Sequence, residues 1–596
     1  MHGFNPLGLR ALKDIVDRKA RAKVDPRRGF RNLFGSSAVL FSGDGLLQEP
    51  DGDRILTELM KKLTRQRSEP PDHFWSDTLP APAAEASELK TWENPAIPSG
   101  YTYLLQLVAH DLVASTVSLS TIIGRSAVDN ARDNALILDT IYGDGPELTP
   151  DPYEVDTEHH FSRGLVPRTR LRLSPPRPRV PGATFCPHRD LGRGTGTAGL
   201  ANGKPVFLVE DEEQDTDNPK PYPTDTMIGD ERNDSHALLS QLVVLFHLLH
   251  NTVIKTLQDR PPHNPQGWSQ AERAWRRFLC ARLAVTLIYR KIVRDDLLRR
   301  ILHEKVYAAY ANDGLRLDKG EGIPLEFSHG AFRFGHAMVR DSYRINDPSK
   351  APLLTDFALR QARRFPFELP VSQDWLIDWR LFFEVEQGTA PNYSRRIGPD
   401  YGRVMFSDLM FTSEPGLGLP FLDHLSAAHA GIWSVPRLFE RLAKALPNSS
   451  LAHFFSTYEF WRAPFLSWLG ESDSTGRLSE TDKRRLANDP PLSLFVLFEA
   501  AHTIKDGAPV RDGGGARLGP LGSIIVAETI FGALDQKIEF ENASTLSEAL
   551  RNCGGELLDD PAALDDVAVG AGADRREIGE MKDVILFLAA KGKFAA

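Results

Sequence analysis

Apolar and polar positions alternate along most of the chain with the period of an α-helix. Apolar residues recur every three or four positions, the spacing that gives a helix one buried face. Strand signals are few and short. The pattern predicts a mainly α fold, with helices over 101–116, 235–259, 269–302, 329–342, 423–445, 450–468, 491–503 and 519–535.

The two ends of the chain differ from this helical body. Residues 1–90 are polar, are interrupted by Pro and Gly, and contain one short predicted helix at 53–64. Residues 546–596 contain an acidic segment rich in Ala and Gly, which an apolar helix follows. Because no internal repeat is found, we expect an N-terminal arm over 1–90, one large helical domain over 91–545 and a C-terminal extension over 546–596.

Composition narrows the functional classes. Charged residues make up 25% of the chain and apolar residues 41%, which is ordinary for a globular protein. The net charge of −9 gives no reason to expect a nucleic-acid partner. The cysteines Cys186, Cys280 and Cys553 lie far apart and form no CxxC pair, so neither a disulfide framework nor a structural zinc site is expected.

No targeting or membrane segment is expected either. The N-terminus mixes charged and apolar residues and lacks the apolar stretch of a secretory signal. The longest apolar run, 237–254, contains Gln, His and Asn, which argues against a membrane span. The default location is therefore cytoplasmic, with secretion by a route without a cleaved signal left open.

One apolar run carries three polar residues. The run IPSGYTYLLQLVAHDLV, residues 97–113, contains Gln106, His110 and Asp111. Gln106 and His110 are four positions apart and share one face of a helix, whereas Asp111 points about 100° away. This spacing indicates two separate polar tasks.

Three further stretches combine polar residues with apolar surroundings. Asp139 precedes a Tyr-Gly turn, Arg232 precedes the long apolar run, and His336 follows Gly335 among aromatic and small residues. Taken singly, two of these residues have a purely structural explanation. For His336 it is a packed core histidine, and for Arg232 it is an ion pair with a neighbouring aspartate.

Taken together, the four stretches resemble, in order and wording, the animal-type (myeloperoxidase–cyclooxygenase) haem peroxidase superfamily, most closely its bacterial members. They are GYTYLLQLVAHD, LDTIYG, RND and FRFGH, and the resemblance covers about residues 95–545. It implies an animal haem peroxidase-like fold with little β structure. The domain over 91–545 would be catalytic, with haem between a distal and a proximal helix.

On the proximal side, the resemblance implies that His336 binds the haem iron. Such a ligand needs a neutral imidazole whose other ring nitrogen is held by an acceptor. The family places an Asn there, and its position falls near Ser426 in this chain. Arg333 matches the position that pairs with a haem propionate.

On the distal side, the cleavage of peroxide needs a base that moves a proton and a cation that stabilises the leaving oxygen. By resemblance, His110 is the base and Arg232 is the cation. Gln106 matches the residue that bonds distal water. The alternative for Arg232 is an ion pair with Asp230 or Asp234.

The resemblance also implies a calcium ion. In the family, the Asp after the distal His binds calcium with the following loop, and here Asp111, Asp133, Asp139 and the carbonyl of Ala135 would supply oxygen ligands. A further ligand of the family is replaced by Ile137. The alternative is a salt-bridged turn without metal.

The haem itself is expected to be ordinary, non-covalent haem b. The positions that form ester links in mammalian relatives are Ala109 and Ser235, and neither side chain can form such an ester. The position that forms a sulfonium link from Met is His236.

The expected activity is that of a haem b-dependent peroxidase, with hydrogen peroxide and a small donor, an aromatic compound or a halide, as partners. It would proceed through a ferryl intermediate. One alternative is a haem-dependent fatty-acid dioxygenase. Arg333 replaces the radical Tyr of such enzymes, although Tyr343 or Tyr103 could host a radical. A second alternative is a haem-binding protein without turnover. The oligomeric state is open.

Overall fold

The structure is a computed structural model that describes the residues of the following ranges. These are 29–35, 54–55, 57–62, 92–114, 130, 132, 135–154, 168–195, 200–201, 204–205, 223–259, 267–317, 320–347, 353–354, 375–406, 417–472, 477–506, 508–511, 514–538 and 543–594.

Helices dominate these residues, which confirms the predicted mainly α class. Residues 54–55 and 57–62 are helical within the region predicted at 53–64. The named α-helices are Gly100–Leu112, Asp139–Tyr142, Ala237–Gln258, Gln270–Ile292, Leu298–Ile301, Glu304–Ala311, Gly418–His429, Val435–Ala445, Glu459–Ser472, Glu480–Asn488, Leu492–Ala501, Pro520–Leu534, Leu546–Leu557 and Met581–Ala590.

Some predicted helices are divided. The helix predicted over 423–445 is two helices, because Gly431 between them has a φ of +65° in the left-handed region. The helix predicted over 329–342 is a 3-10 segment, Ala331–Met338, directly after a π-helical turn, Glu326–Gly330. Periodicity alone does not distinguish these tighter and wider turns from an α-helix.

The strands of the described residues form two-stranded sheets only. One pair is parallel, Phe30–Arg31 with Ile323–Pro324, and the others are antiparallel. The antiparallel pairs are Glu93–Pro98 with Tyr393–Arg395, Tyr153–Glu154 with Arg170–Leu171, Arg193–Thr195 with Pro223–Thr226, Leu200–Ala201 with Lys204–Pro205, Ser342–Tyr343 with Leu353–Leu354, and Thr503–Lys505 with Ala508–Val510.

The helix Ala237–Gln258, here called the long core helix, lies at the centre of the packing. It contacts the helices Gly100–Leu112, Gln270–Ile292 and Met581–Ala590. Of the helices that the structure describes, it is the one long and apolar enough to cross a membrane, but 94% of its most apolar window is buried in the protein. It is therefore placed as a core helix.

A buried carboxylate joins the N-terminal residues to this body. Glu326 is fully buried and accepts hydrogen bonds from the Leu33 backbone N–H at 2.8 Å and from the Asn32 amide at 3.0 Å. It also accepts from the Trp433 backbone N–H at 2.9 Å. Burial raises the pKa of this carboxyl. Glu326 thus joins residues 32–33 and Trp433 to the turn that lies directly before the segment with His336.

The buried apolar side chains of the described residues form one cluster, whose members range along the sequence from Leu33 to Phe594. The C-terminal helix Leu546–Leu557 packs on Gln270–Ile292, and the Cys553 and Cys280 sulfurs lie 3.4 Å apart as free thiols. The division into arm, domain and extension stays a prediction.

Candidate functional site

The helix Gly100–Leu112, here called the His110 helix, begins at a close contact. The Gly100 N–H donates to the Phe382 carbonyl at 2.9 Å, and a Cβ at Gly100 would lie 2.3 Å from the Phe383 ring. Only glycine fits there without displacing the ring. This contact fixes where the helix starts and therefore which face carries His110.

One face of the His110 helix is open. Gln106, Ala109 and His110 are partly exposed, whereas the other residues of the helix are buried. These three positions are spaced i, i+3 and i+4, so they lie on one face. Burial, together with the charge of Arg232, lowers the pKa of His110 to about 4.

Asn233 orients the His110 ring. Its side-chain oxygen lies 2.8 Å from His110 Nδ1, while its amide nitrogen donates to the Thr140 carbonyl at 3.3 Å. Because an amide oxygen only accepts, Nδ1 carries the proton and Nε2 is left as the basic nitrogen. Sequence reasoning missed Asn233, although its place directly after Arg232 was a usable signal.

Arg232 is held by an aspartate and by the end of the His110 helix. Its guanidinium donates to Asp230 at 2.6 Å, to the Val113 carbonyl at 2.7 Å and to the His110 carbonyl at 2.9 Å. The ion pair with Asp230, one of the two alternatives for this residue, is thus present. The catalytic role of Arg232 stays a prediction, and its charge reaches the His110 ring.

Gln106 bonds a second histidine of the same side. Its side-chain oxygen lies 2.9 Å from His236 Nε2, and His236 Nδ1 accepts from the Leu239 N–H at 3.3 Å. Burial, followed by the effect of His110, lowers the pKa of His236 to about 3. The bonding of distal water by Gln106 stays a prediction. The hydrogen bond between Gln106 and His236 was not predicted from the sequence.

His336 lies in the 3-10 segment Ala331–Met338 and pairs with a carboxylate. Its Nδ1 is 2.7 Å from Oδ2 of Asp423, on the helix Gly418–His429. The Asp423 side chain is fully buried, whereas the His336 side chain is 34% exposed. Nδ1 therefore donates to the carboxylate, and Nε2 is available on the open side.

The structure corrects the predicted hydrogen-bond partner of His336, which is Asp423 and not Ser426. The Ser426 hydroxyl lies 3.3 Å from His329 Nδ1 and does not hold His336. Asp423 and Ser426 are three residues apart on one helix face, so the alignment was wrong by one helical turn. An acidic residue in the apolar run LPFLDHLSAAH was the signal that identifies Asp423.

Arg333 lies on the other side of the same carboxylate. Its Nη1 is 3.4 Å from Asp423 Oδ1, and its Nε donates to the Ser328 carbonyl at 3.0 Å. Asp423 therefore interacts with both a histidine and an arginine. The contact of Arg333 with a haem propionate stays a prediction.

Asp111 contacts the turn before Tyr142. The residue is 2% exposed, and its Oδ2 accepts from the Leu138 N–H at 3.1 Å. Its Oδ1 is buried without a hydrogen-bond partner. Burial and the nearby carboxylate of Asp139 raise the pKa of Asp111 to about 7.

Arginines contact the other predicted calcium ligands. Arg282 lies 3.3 Å from Asp139, and the buried Arg290 donates to the Ala135 carbonyl. Within the part of the chain that the structure describes, no three His, Cys, Asp or Glu side chains are grouped to hold a metal. Asp133 lies outside the described residues. These contacts match the alternative of a salt-bridged turn.

The arrangement fits a haem between the two histidines. The His110 helix contacts the segment Ala331–Met338, and each histidine has one ring nitrogen held by a partner and the other available. A Cβ built on Gly335 would meet nothing within 4 Å, so there is open space beside His336. A neutral imidazole whose second nitrogen donates to a carboxylate is a suitable iron ligand.

Comparison with known proteins finds a family match over part of the chain and similar solved folds. The family described as animal haem peroxidase matches residues 194–376, and a search of curated proteins finds no match. The solved peroxidase A from Dictyostelium discoideum is 13% identical with a TM-score of 0.50, over 94% of this chain and 95% of that chain. A fatty acid alpha-dioxygenase from Arabidopsis thaliana is 12% identical with a TM-score of 0.48, over 98% and 88%. One from Oryza sativa, with palmitic acid, is 12% identical with a TM-score of 0.46, over 94% and 95%.

The family match and the fold similarity confirm the predicted resemblance to the animal haem peroxidase superfamily and its largely helical fold. Residues 194–376 therefore resemble a family of haem peroxidases.

The arginine contacts predict that the turn before Tyr142 is stable without calcium. Treatment with EGTA should leave the Tm unchanged, measured by calorimetry. Arg290→Gln should lower the free energy of unfolding by at least about 1–3 kcal/mol, because the carbonyls of Ala135, Leu534 and Gln536 lose a donor. Lys291→Gln, at a neighbouring and more exposed side chain, is the control. A Tm that falls with EGTA and recovers with Ca²⁺ would contradict this interpretation.

Proposed function

We propose that this chain is a haem b-dependent peroxidase that reduces hydrogen peroxide and oxidises a small donor, an aromatic compound or a halide. The observation that carries the proposal is the 2.7 Å hydrogen bond between His336 Nδ1 and the buried carboxylate of Asp423. Bound haem would supply the iron that takes up oxidising equivalents from peroxide.

Asp423 gives His336 the character that peroxide cleavage requires. A carboxylate that accepts the Nδ1 proton makes the imidazole a stronger electron donor than a neutral acceptor would. Greater electron donation from the proximal ligand favours cleavage of the O–O bond. The anion at this position is why we favour a peroxidase over a protein that only binds haem.

His110 is suited to move the proton. Asn233 leaves His110 Nε2 as the basic nitrogen, on the open face of its helix. Because its pKa is lowered to about 4, the ring is neutral near pH 7 and can accept a proton from the nearer peroxide oxygen. The same ring then returns the proton to the departing oxygen, whose charge Arg232 would stabilise.

A fatty-acid dioxygenase is the second candidate, and one contact favours it. The hydroxyls of Tyr103 and Tyr343 lie 2.8 Å apart in the core, and the Tyr103 ring centroid is 5.3 Å from that of His236. A hydrogen-bonded tyrosine pair near the His110 side is a suitable place for a protein radical. Against it, the position three residues before His336 holds Arg333, which pairs with Asp423.

We also propose that the haem is held without covalent bonds. Ala109 lies on the open face of the His110 helix, and its methyl group cannot form an ester. Ser235 offers a hydroxyl in place of a carboxylate. His236, at the sulfonium position, is engaged by Gln106.

The peroxidase and the dioxygenase should respond differently to the variants His110→Ala and Tyr343→Phe. In the peroxidase, His110→Ala should lower kcat/KM for peroxide by about 10²–10⁴-fold, as loss of a general base does, and Tyr343→Phe should leave it unchanged. Peroxide-dependent oxidation of guaiacol by the haem-loaded protein measures this. Oxygen uptake with an unsaturated fatty acid that Tyr343→Phe abolishes would favour the dioxygenase. A peroxidase rate unaffected by His110→Ala would refute the assignment.

The role of Asp423 predicts a spectroscopic and a kinetic change. Asp423→Asn keeps the shape and removes the charge, so the peroxide reaction should slow by about 10–100-fold. The iron should also become easier to reduce, which spectroelectrochemistry detects as an upward shift of the midpoint potential. Ser426→Ala is the matched control one helical turn away and should change neither quantity. Equal effects of the two variants would show that the charge of Asp423 is not what matters.

Non-covalent haem predicts complete extraction. Acidified butanone should transfer the haem of the purified protein to the organic phase, and the Soret band of the aqueous phase should disappear. Haem retained on the denatured chain would overturn the argument from Ala109 and Ser235.

A further inference from the structure

A cavity lies at the far end of the long core helix. It has a volume of about 520 Å³ and is lined in part by Arg170, Arg189, Lys255 and Lys593. His236, at the other end of the helix, touches Gln106 of the first site. At 1.5 Å per residue, Lys255 lies about 28 Å along the helix from His236, so the cavity is separate from that site.

The cavity carries an excess of positive charge. Four cationic side chains line it, and the acidic residues among the lining are Glu154 and Asp259. Among the described lining residues, the cations therefore outnumber the acids by two. The cations come from four different parts of the chain: a strand, a loop, the long core helix and the residues after the last helix. Only the folded chain brings them together.

The cations repel one another, and the fold holds them in place. Burial lowers the pKa of Lys593, and the charges of Lys255, Arg189 and Arg170 lower it further. Burial also lowers the pKa of Arg189, which Glu154 partly opposes. Like charges held together destabilise the folded state, and a bound anion relieves that cost.

The two arginines are oriented by neutral acceptors. Arg170 Nη2 donates to the Gln258 side chain at 3.1 Å, and Arg189 Nη1 donates to the Ser174 carbonyl at 3.3 Å. Asn251, also in the lining, is fixed by two bonds to the Leu171 backbone, at 2.7 and 2.8 Å. Guanidinium groups held in a fixed orientation match the oxygens of a phosphate group.

We propose that this cavity binds a small phosphate monoester, with Arg170, Arg189, Lys255 and Lys593 around the dianionic group. The volume falls within the range of small-molecule sites, about 300–1,000 Å³, and exceeds what a phosphate ion alone fills. The excess of cations over acids among the described lining residues favours a dianionic group, such as a phosphate monoester near neutral pH. The site does not depend on haem or on the proposed peroxidase activity.

Titration calorimetry on the full-length protein at low ionic strength tests the proposal. Ribose 5-phosphate is the ester probe, inorganic phosphate tests the group alone, and succinate tests a dicarboxylate. We expect saturable binding of the ester and weaker binding of both phosphate and succinate, because each of these fills less of the cavity or matches the cations less fully. Lys593→Gln should weaken the binding of the ester at least tenfold, whereas Lys593→Arg should preserve that binding.

The matched control is Lys591→Gln. Lys591 is two residues away, is exposed, and has its ammonium 5.7 Å from the Phe587 ring and outside the cavity lining. It should leave the affinity unchanged. Absence of ester binding, tighter binding of succinate, or equal loss in the two glutamine variants would overturn the proposal. Because calorimetry does not involve peroxide, these outcomes are distinct from a failure of the peroxidase assignment.

Discussion

The structure around the two histidines depends on one interaction: the hydrogen bond that a neighbouring side chain accepts from Nδ1 of each ring. Leaving a buried polar group unpaired costs about 1–3 kcal/mol, a large share of the stability of a folded protein. His110 is paired with Asn233, and His336 is paired with Asp423. Each pairing uses Nδ1, so the same interaction that stabilises the core also selects Nε2 as the nitrogen that faces the open side.

The two partners differ in charge, and the difference matches two chemical tasks. Asn233 is neutral, so it orients His110, and its hydrogen bond raises the pKa of the ring less than burial and the charge of Arg232 lower it. Asp423 is a carboxylate, so it increases the electron density of the ring that it holds. Arg333 lies beside Asp423 and Arg232 lies near His110, and in both places the arginine is also held by a backbone carbonyl. The positive charges are thus fixed in position by the main chain.

Sequence reasoning identified the helical class and the polar residues within apolar runs, because period and composition are local properties. It placed Asp111 and Gln106 on different sides of one helix, and these residues contact different parts of the protein. It did not identify the hydrogen-bond partners of the two histidines, Asn233 and Asp423. Ser426 was chosen in place of Asp423 because an error of one turn keeps a residue on the same helix face, and only the packing of two helices decides between them. The π-helical turn at Glu326–Gly330 was missed for a similar reason, since its cause is tertiary: Glu326 bonds three groups from distant segments.

The long core helix shows how a single element positions chemistry at two places without joining them. Its first turn lies beside His236 and the His110 helix, and its last turns carry Lys255 and Gln258 to the basic cavity. Nearly all of its residues are buried between these ends. Because packed interiors do not deform continuously, displacement of one end would require repacking of the core along its whole length. The helix therefore acts as a rigid spacer, and the proposed proton chemistry at one end and the proposed anion site at the other depend on different side chains.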